Sequence, residues 1–287
     1  MTPHVRAIAA AGLLLALLGC ASAPPAPPVT NAATPAAADR LAVPAAYRLV
    51  WADEFEAPGL PDPAKWVHDT HRNQAGWYNH EQQYYAAPRA ENAMVRDGKL
   101  VITARHEALR TAPDWGGQAY TSARLITRGK GDWTYGFFEI RARMPCGLGT
   151  WPAIWSVGSG GRWPDDGELD ILEHIGSRPG RVFSTVHTAA GSGGHGSGAA
   201  TQLPDVCRAF HTYQMHWTPQ DIRFGIDGVQ HFRYANPGTG TKAWPFDAPQ
   251  FLILNIAIGG DLGGPIDDTI FPVAMEVDFV RVYQAQR

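Results

Sequence analysis

From about residue 47 onward the chain alternates apolar and polar positions with a period of two. The alternation is plain in Arg48-Leu49-Val50-Trp51, Lys99-Leu100-Val101-Ile102-Thr103, Tyr135 to Arg141 and Val182 to His187. It returns in Phe251-Leu252-Ile253-Leu254 and Val277 to Tyr283. Such a period marks strands with one buried face. Asp97-Gly98 and Asp227-Gly228 fall between runs of this kind, and an Asp-Gly pair accepts the positive φ values that a two-residue hairpin turn imposes. No segment of helical length repeats its apolar residues every three or four positions, and no glycine-rich phosphate loop leads into a helix. The pattern predicts an all-β sandwich or barrel of roughly 240 residues, built as one domain.

The first twenty residues follow another rule. Arg6 and His4 precede an apolar run too short for a membrane span, so residues 1–19 read as a signal peptide. Leu17-Leu18-Gly19-Cys20 resembles a bacterial lipobox, which implies lipidation of Cys20 and export to a membrane surface, with the outer membrane or cell surface expected. An ordinary secretory signal, giving a periplasmic or secreted protein, is the alternative. Residues 20–46 are dominated by Ala and Pro and read as a tether, with the folded domain expected over 47–287.

Composition narrows the chemistry. Charged residues make up 18% of the chain and the net charge is -3, so nothing marks a nucleic-acid partner. A membrane is expected only through the anchor, and a monomer is expected. Ten Trp in a weakly charged chain suit stacking on a neutral ring, and sugar is the first such ligand to consider. With Cys20 set aside, Cys146 and Cys207 form an even pair; a disulfide and two buried thiols both stay open.

The most informative segment is Gly167-Glu168-Leu169-Asp170-Ile171-Leu172-Glu173-His174, where acids interrupt a good buried strand. Glu168 and Asp170 share one face of a regular strand, whereas Glu173 would point to the other. A β-bulge at Ile171-Leu172 would return Glu173 to the shared face, about four strand steps or ~13 Å from Glu168 at Cα. Long side chains leaning together can then approach the carboxyl separation of about 5 to 5.5 Å that suits retaining glycoside hydrolysis. A solvated acidic edge or a calcium ligand set is the plainer reading. Trp151 and Trp155, four apart on one face, and Trp163 just upstream favour the sugar-cleaving one.

These segments resemble bacterial glycoside hydrolase family 16, and within it the laminarinase-like endo-β-1,3-glucanases. The resemblance runs over nearly all of 47–287. It rests on Leu49 to Phe55, Trp77 to Tyr85, Asp97 to Ala104, Ser122 to Leu125, Gly149 to Trp155, Gly167 to Glu173, His211 to Tyr213, and Asn255 to Gly260 through Tyr283. It implies a concanavalin A-like jelly roll of two antiparallel sheets with a concave substrate cleft. It also implies Glu168 as nucleophile, Glu173 as acid/base and Asp170 as the residue that orients and tunes them, acting by double displacement without a catalytic cofactor. Trp151, Trp155 and Trp163 match cleft-lining positions, Asn79 and Arg124 match positions that reach sugar hydroxyls, and His187 matches one close to the glutamates.

Two departures stand out. His80 and Gln82 replace the Asn and Leu more often found beside Asn79, and Asp165-Asp166 adds negative charge that would disfavour anionic glycans. Catalytic zinc is not expected, for want of an HExxH or Cys-rich spacing. The family's structural calcium would take Glu54, the Gly98 backbone and Asp278. Alternatives stay open: mixed-linkage glucan or agar-like galactan as substrate, a sugar in place of water as acceptor, or a sugar-binding module that has lost catalysis.

Overall fold

The computed structural model describes residues 40–286 of the chain. The signal segment, Cys20 and the tether up to residue 39 lie outside the described residues. The strands are β1 (Tyr47–Asp53), β2 (Val67–His68), β3 (Gln83–Tyr85), β4 (Ala93–Arg96), β5 (Lys99–His106) and β6 (Tyr120–Ser122). Then come β7 (Arg124–Ile126), β8 (Asp132–Trp133), β9 (Gly136–Arg143), β10 (Thr150–Gly158), β11 (Glu168–His174) and β12 (Arg181–His187). The last are β13 (Ser197–Gln202), β14 (His211–Trp217), β15 (Asp221–Ile226), β16 (Val229–Ala235), β17 (Gln250–Ile258) and β18 (Val273–Ala285). One helical turn, Gly260–Gly263, is the only α-helix among the described residues, and no helix there is long and apolar enough to cross a membrane.

The strands form two sheets. The larger runs β16-β15-β14-β9-β18-β5-β6-β3, with β1 also on β18 and β4 on β5; the smaller runs β13-β12-β11-β10-β17-β7-β2, with β8 on β17. Pairing is antiparallel except between β3 and β6. Both Asp-Gly pairs close hairpins as their sequence predicts, Asp97 and Gly98 at φ 52° and 67°, Asp227 and Gly228 at 51° and 79°.

Alternation places the core between the sheets. Phe138, Ile140 and Ala142 of β9 and Tyr213, Met215 and Trp217 of β14 meet Leu252, Leu254, Ile256 and Ile258 of β17 and Leu169 of β11. Strand β17 is buried along all nine residues, because its other face is covered as well. There Phe251 and Ile253 join Ile126, with Trp155 and Val157 packed on them. Trp155 of β10 lies on this outer face of the smaller sheet.

The domain starts earlier than its composition suggests. Arg40 bridges to Val229, and Leu41, 4% exposed, sits over the β15–β16 hairpin with its amide donating to Gly228 O at 2.8 Å. One large apolar side chain in an Ala/Pro stretch is enough to pin it, because Gly225 leaves room for it. A chain shortened to begin at residue 47 should therefore melt lower than one beginning at 40. Leu41→Ala should cost about 2–3 kcal/mol in urea unfolding.

Candidate active site

The site is built on β11, between β10 and β12. Across β10, Glu168 faces Val157, Asp170 faces Trp155 and Glu173 faces Ala153, with a register shift at Ile154/Trp155. Across β12, Glu168 faces His187, Asp170 faces Thr185 and Glu173 faces Phe183, with a shift between Asp170 and Glu173. Residues 171 and 172 thus occupy one step of the partner strands. This is the bulge that the acid spacing requires. Ile171 and Leu172 both enter the core, and Glu173 joins Glu168 and Asp170 on the outer face.

The three carboxyls are nearly dry, with side-chain exposure of 16% for Glu168 and 4% for Asp170, and Glu173 is 8% exposed. Trp163 Nε1 donates to Glu168 Oε2 at 2.8 Å, and Trp151 Nε1 donates to Glu173 Oε1 at 3.0 Å. His187 Nε2 lies 3.2 Å from Asp170 Oδ2 and 3.8 Å from Glu168 Oε1. Desolvation, then repulsion by Asp170, pushes Glu168 up to about 8 against the pull of His187. Burial pushes Asp170 up to about 7, partly relieved by a hydrogen bond from Glu168. Glu173 is raised well above the usual carboxylate value, by burial first and Asp170 second. Three acids in one dry pocket cannot all be charged, and burial together with Asp170 favours the protonated form of Glu173.

The other sequence-predicted residues divide by what remains open to a ligand. Trp163 is 56% exposed at the edge of the acid cluster, and its ring centroid is 6.5 Å from that of His187. Trp151 is 9% exposed and engaged with Glu173, so it serves the carboxyl more than a sugar face. Trp155 is half-buried, donates to Asn255 Oδ1 at 2.7 Å and carries the Arg124 guanidinium 4.7 Å from its ring. Arg124, 8% exposed, donates to Asp69 at 2.8 Å and also lies 5.3 Å from the Trp77 ring. Asn79 is exposed at φ 54° and donates to Glu81 at 3.5 Å. His80 beside it also has positive φ, which Asn accepts more readily, and is tied to Asp261 at 2.8 Å.

Several residues that the sequence does not single out complete the site. Asp69 holds Arg124, Tyr85 receives the Asn255 amide at 2.9 Å, and Glu81 accepts from Gln83 at 2.8 Å. Burial raises the Glu81 carboxyl above its usual value. The Asp69–Arg124 and Tyr85–Asn255 contacts join residues 55 and 170 apart in the chain, so no local spacing announces them, whereas Glu81–Gln83 is a local pair. Asp166 also differs from expectation: it accepts from the Arg162 amide and guanidinium at 2.8 and 3.2 Å, which offsets its charge toward the cleft.

The calcium set does not fit as it stands. Strands β1 and β5 both pair with β18, so Glu54 and Gly98 lie close to the Asp278 segment. Both Glu54 oxygens, however, accept from Arg281 at 2.8 Å, and Asp278 accepts from Arg141 at 2.9 Å. The donors are already neutralised by the chain's own cations. Elsewhere, Glu168, Asp170 and His187 bring ligand-type atoms within 4.8 Å of one another, as do Cys146, His174 and Cys207. In the second group the sulfurs are joined: Cys146 and Cys207 form a disulfide with Cα atoms 5.8 Å apart. His174, next to Glu173, lies against it at 3.5 and 3.7 Å.

Comparison with known proteins agrees with this arrangement. The family model described as "Glycosyl hydrolases family 16" matches residues 80–274. The chain is similar to the beta-glucanase of Rhodothermus marinus, 47% identical over 253 residues that make up 83% of this chain and 85% of that protein. Three other curated relatives are longer, and the chain spans 34%, 55% and 38% of them. Among solved structures it is similar to SCLam, described as a non-specific endo-beta-1,3(4)-glucanase, with TM-score 0.84 and 49% identity over 86% of this chain and 94% of that one. The laminarinase from Rhodothermus marinus gives TM-score 0.79 and 46% identity over 84% of this chain and 98% of that one.

The raised carboxyls have a measurable cost. A group whose folded pKa lies above its unfolded value stabilises the fold below the unfolded pKa and loses that advantage as pH rises through the folded one. Glu168, moved from 4.5 to about 8, therefore weighs increasingly against the fold as pH rises between those values and most heavily above them. Glu168→Gln should raise the thermal midpoint by several degrees at pH 8, with the gain vanishing below pH 4.5. An equal midpoint for both proteins at pH 8 would show that the carboxyl is not strained by burial.

Proposed function

The chain belongs to glycosyl hydrolases family 16, and on that premise we propose that it hydrolyses laminarin-like β-1,3-glucan at internal bonds with retention of anomeric configuration. The observation that carries this reading is the bulge in β11, which puts Glu168 and Glu173 on one face with Asp170 between them. Glu173, whose proton is favoured by burial and by Asp170, donates to the leaving glycosidic oxygen while Glu168 attacks the anomeric carbon. Water then enters, Glu173 takes its proton, and the glycosyl bond to Glu168 breaks. Proton and nucleophile both come from carboxyls, so the chemistry calls on no cofactor.

Asp170 has a defined part. In the resting cluster Glu168 donates to it, and burial raises both acids above their usual carboxylate values. A proton can pass from Glu168 to Asp170 along this contact, baring the nucleophile without taking further charge into the pocket. The Trp163 N–H then stabilises the bared carboxylate. Its exposed ring is the surface best suited to stack on a neutral pyranose.

One specific observation favours a broader substrate range: SCLam, at 49% identity, is described as acting on β-1,3(4)-glucan. Mixed-linkage glucan is thus the second reading. The proposal includes export and a lipid anchor at Cys20. Its supports are the lipobox-like Leu17-Leu18-Gly19-Cys20 and the Cys146–Cys207 bond, which suits an oxidising compartment.

Reducing-end release should be assayed on laminarin, lichenan, agarose and xyloglucan side by side, with Glu168→Ala as the blank. Laminarin should give the largest release, with oligosaccharides of several lengths and a β-anomer as first product by NMR. Release from agarose or xyloglucan alone would move the substrate, and an α-anomer would sink the double displacement. Azide should rescue Glu168→Ala on an activated substrate, giving an α-glycosyl azide. The pH profile of kcat/KM should be bell-shaped, its acid limb set by the Glu168–Asp170 pair and its alkaline limb by Glu173. A flat profile would count against the assignment.

A further inference from the structure

We propose that Ser184 and His231 are positioning residues for Glu173, forming a relay through the sandwich that pins the β11 bulge from behind; this rests on the catalytic reading above. A bulge leaves backbone groups without ladder partners. Ser184 stands on β12 at that break, between Thr185, which pairs with Asp170, and Phe183, which pairs with Glu173. Its side chain points into the core, 1% exposed, between Val182 and Val186. There Ser184 Oγ donates to Ile171 O at 2.8 Å. That carbonyl belongs to the residue whose insertion decides which face Glu173 occupies.

The hydroxyl is itself held from the other sheet, since His231 Nε2 lies 3.0 Å from Ser184 Oγ. The protons follow without choice. A carbonyl can only accept, so the Ser184 proton goes to Ile171 O, and His231 must donate its Nε2–H to Ser184. Nδ1 is then a bare acceptor, and it is a buried atom with no partner. Burial drives His231 down to about 4, which keeps the ring neutral.

His231 reaches Ser184 through an irregularity of its own. On β16 Phe232 pairs with Phe224 and Gln230 pairs with Gly225, so His231 is the extra residue in a second bulge. Strict alternation would turn it away from the core that Phe232 and Tyr234 pack against. Two bulges, one in each sheet, are thus joined by Ile171 O, Ser184 Oγ and His231 Nε2. A valine and a leucine would fill the space without an unmet Nδ1, so the polar pair costs stability. What it supplies is a fixed register for the acid.

The test compares Ser184→Ala, Ser184→Thr, His231→Leu and His231→Gln with wild type on laminarin. Loss of the hydroxyl or the ring donor should lower kcat about 10- to 100-fold, the scale of a misplaced catalytic group. KM should stay within about twofold, and the alkaline limb of the pH profile should shift as Glu173 changes its surroundings. Ser184→Thr and His231→Gln keep an O–H and an N–H and should recover most of the loss. The double variant Ser184→Ala/His231→Leu should be no worse than the poorer single one. Wild-type kcat and alkaline limb in Ser184→Ala would overturn the relay, as would multiplying losses in the double variant or conservative variants as poor as the apolar ones. If Ser184→Ala does not fold, the contrast between His231→Leu and His231→Gln decides in the same terms. Full activity in Glu168→Ala or Glu173→Ala would instead overturn the catalytic reading, so the two failures are distinct.

Discussion

A β-strand shows successive residues to opposite faces, and every functional feature of this protein has to work within that rule or break it. Glu168 and Asp170 obey it. Glu173, five positions from Glu168, can join them only because residues 171 and 172 share a single step of the neighbouring ladders. Both apolar residues of the bulge are absorbed by the core. The irregularity is therefore held from the inside by packing and shows its consequence on the outside as a cluster of acids.

That cluster illustrates why such sites sit on rigid scaffolds. Burial and mutual repulsion hold protons on groups that water would ionise at neutral pH, and the surrounding fold must offset the strain. Two indole N–H groups do part of this by binding carboxylate oxygens, which leaves one Trp open to solvent and the other enclosed. The same residue type thus serves two ends. Trp151 orders an acid, while Trp163 touches an acid and still offers a flat face.

How far the sequence predicts this can be read from particular residues. The period of two and the Asp-Gly pairs anticipate the strands and both hairpins, because those are local signals. The ExDxxE spacing anticipates the bulge, because an acid on the wrong face would have to lie in the core. The sandwich topology came from family resemblance, since alternation says nothing about which strands become neighbours. Distance in the chain also explains what stayed hidden. Asp69 meets Arg124 across 55 residues and Ser184 meets His231 across 47, and no composition or spacing marks such pairs. Arg281 and Arg141 likewise claim the carboxylates read as calcium donors through contacts that only the folded sheet creates. Leu41 was masked by the Ala and Pro around it.

The placement of β17 carries a consequence for the order of assembly. Strand β10 holds β11 along one edge and β17 along the other, the latter through nine consecutive residues. Yet β17 ends at Ile258, about a hundred residues after β10 begins. During vectorial synthesis the acid-bearing strands must wait with an open edge until nearly the whole chain has emerged. An open, largely apolar edge is a template for wrong pairing. The chain cannot complete its chemistry early, and its vulnerable interval is set by the distance between two strands that end up side by side.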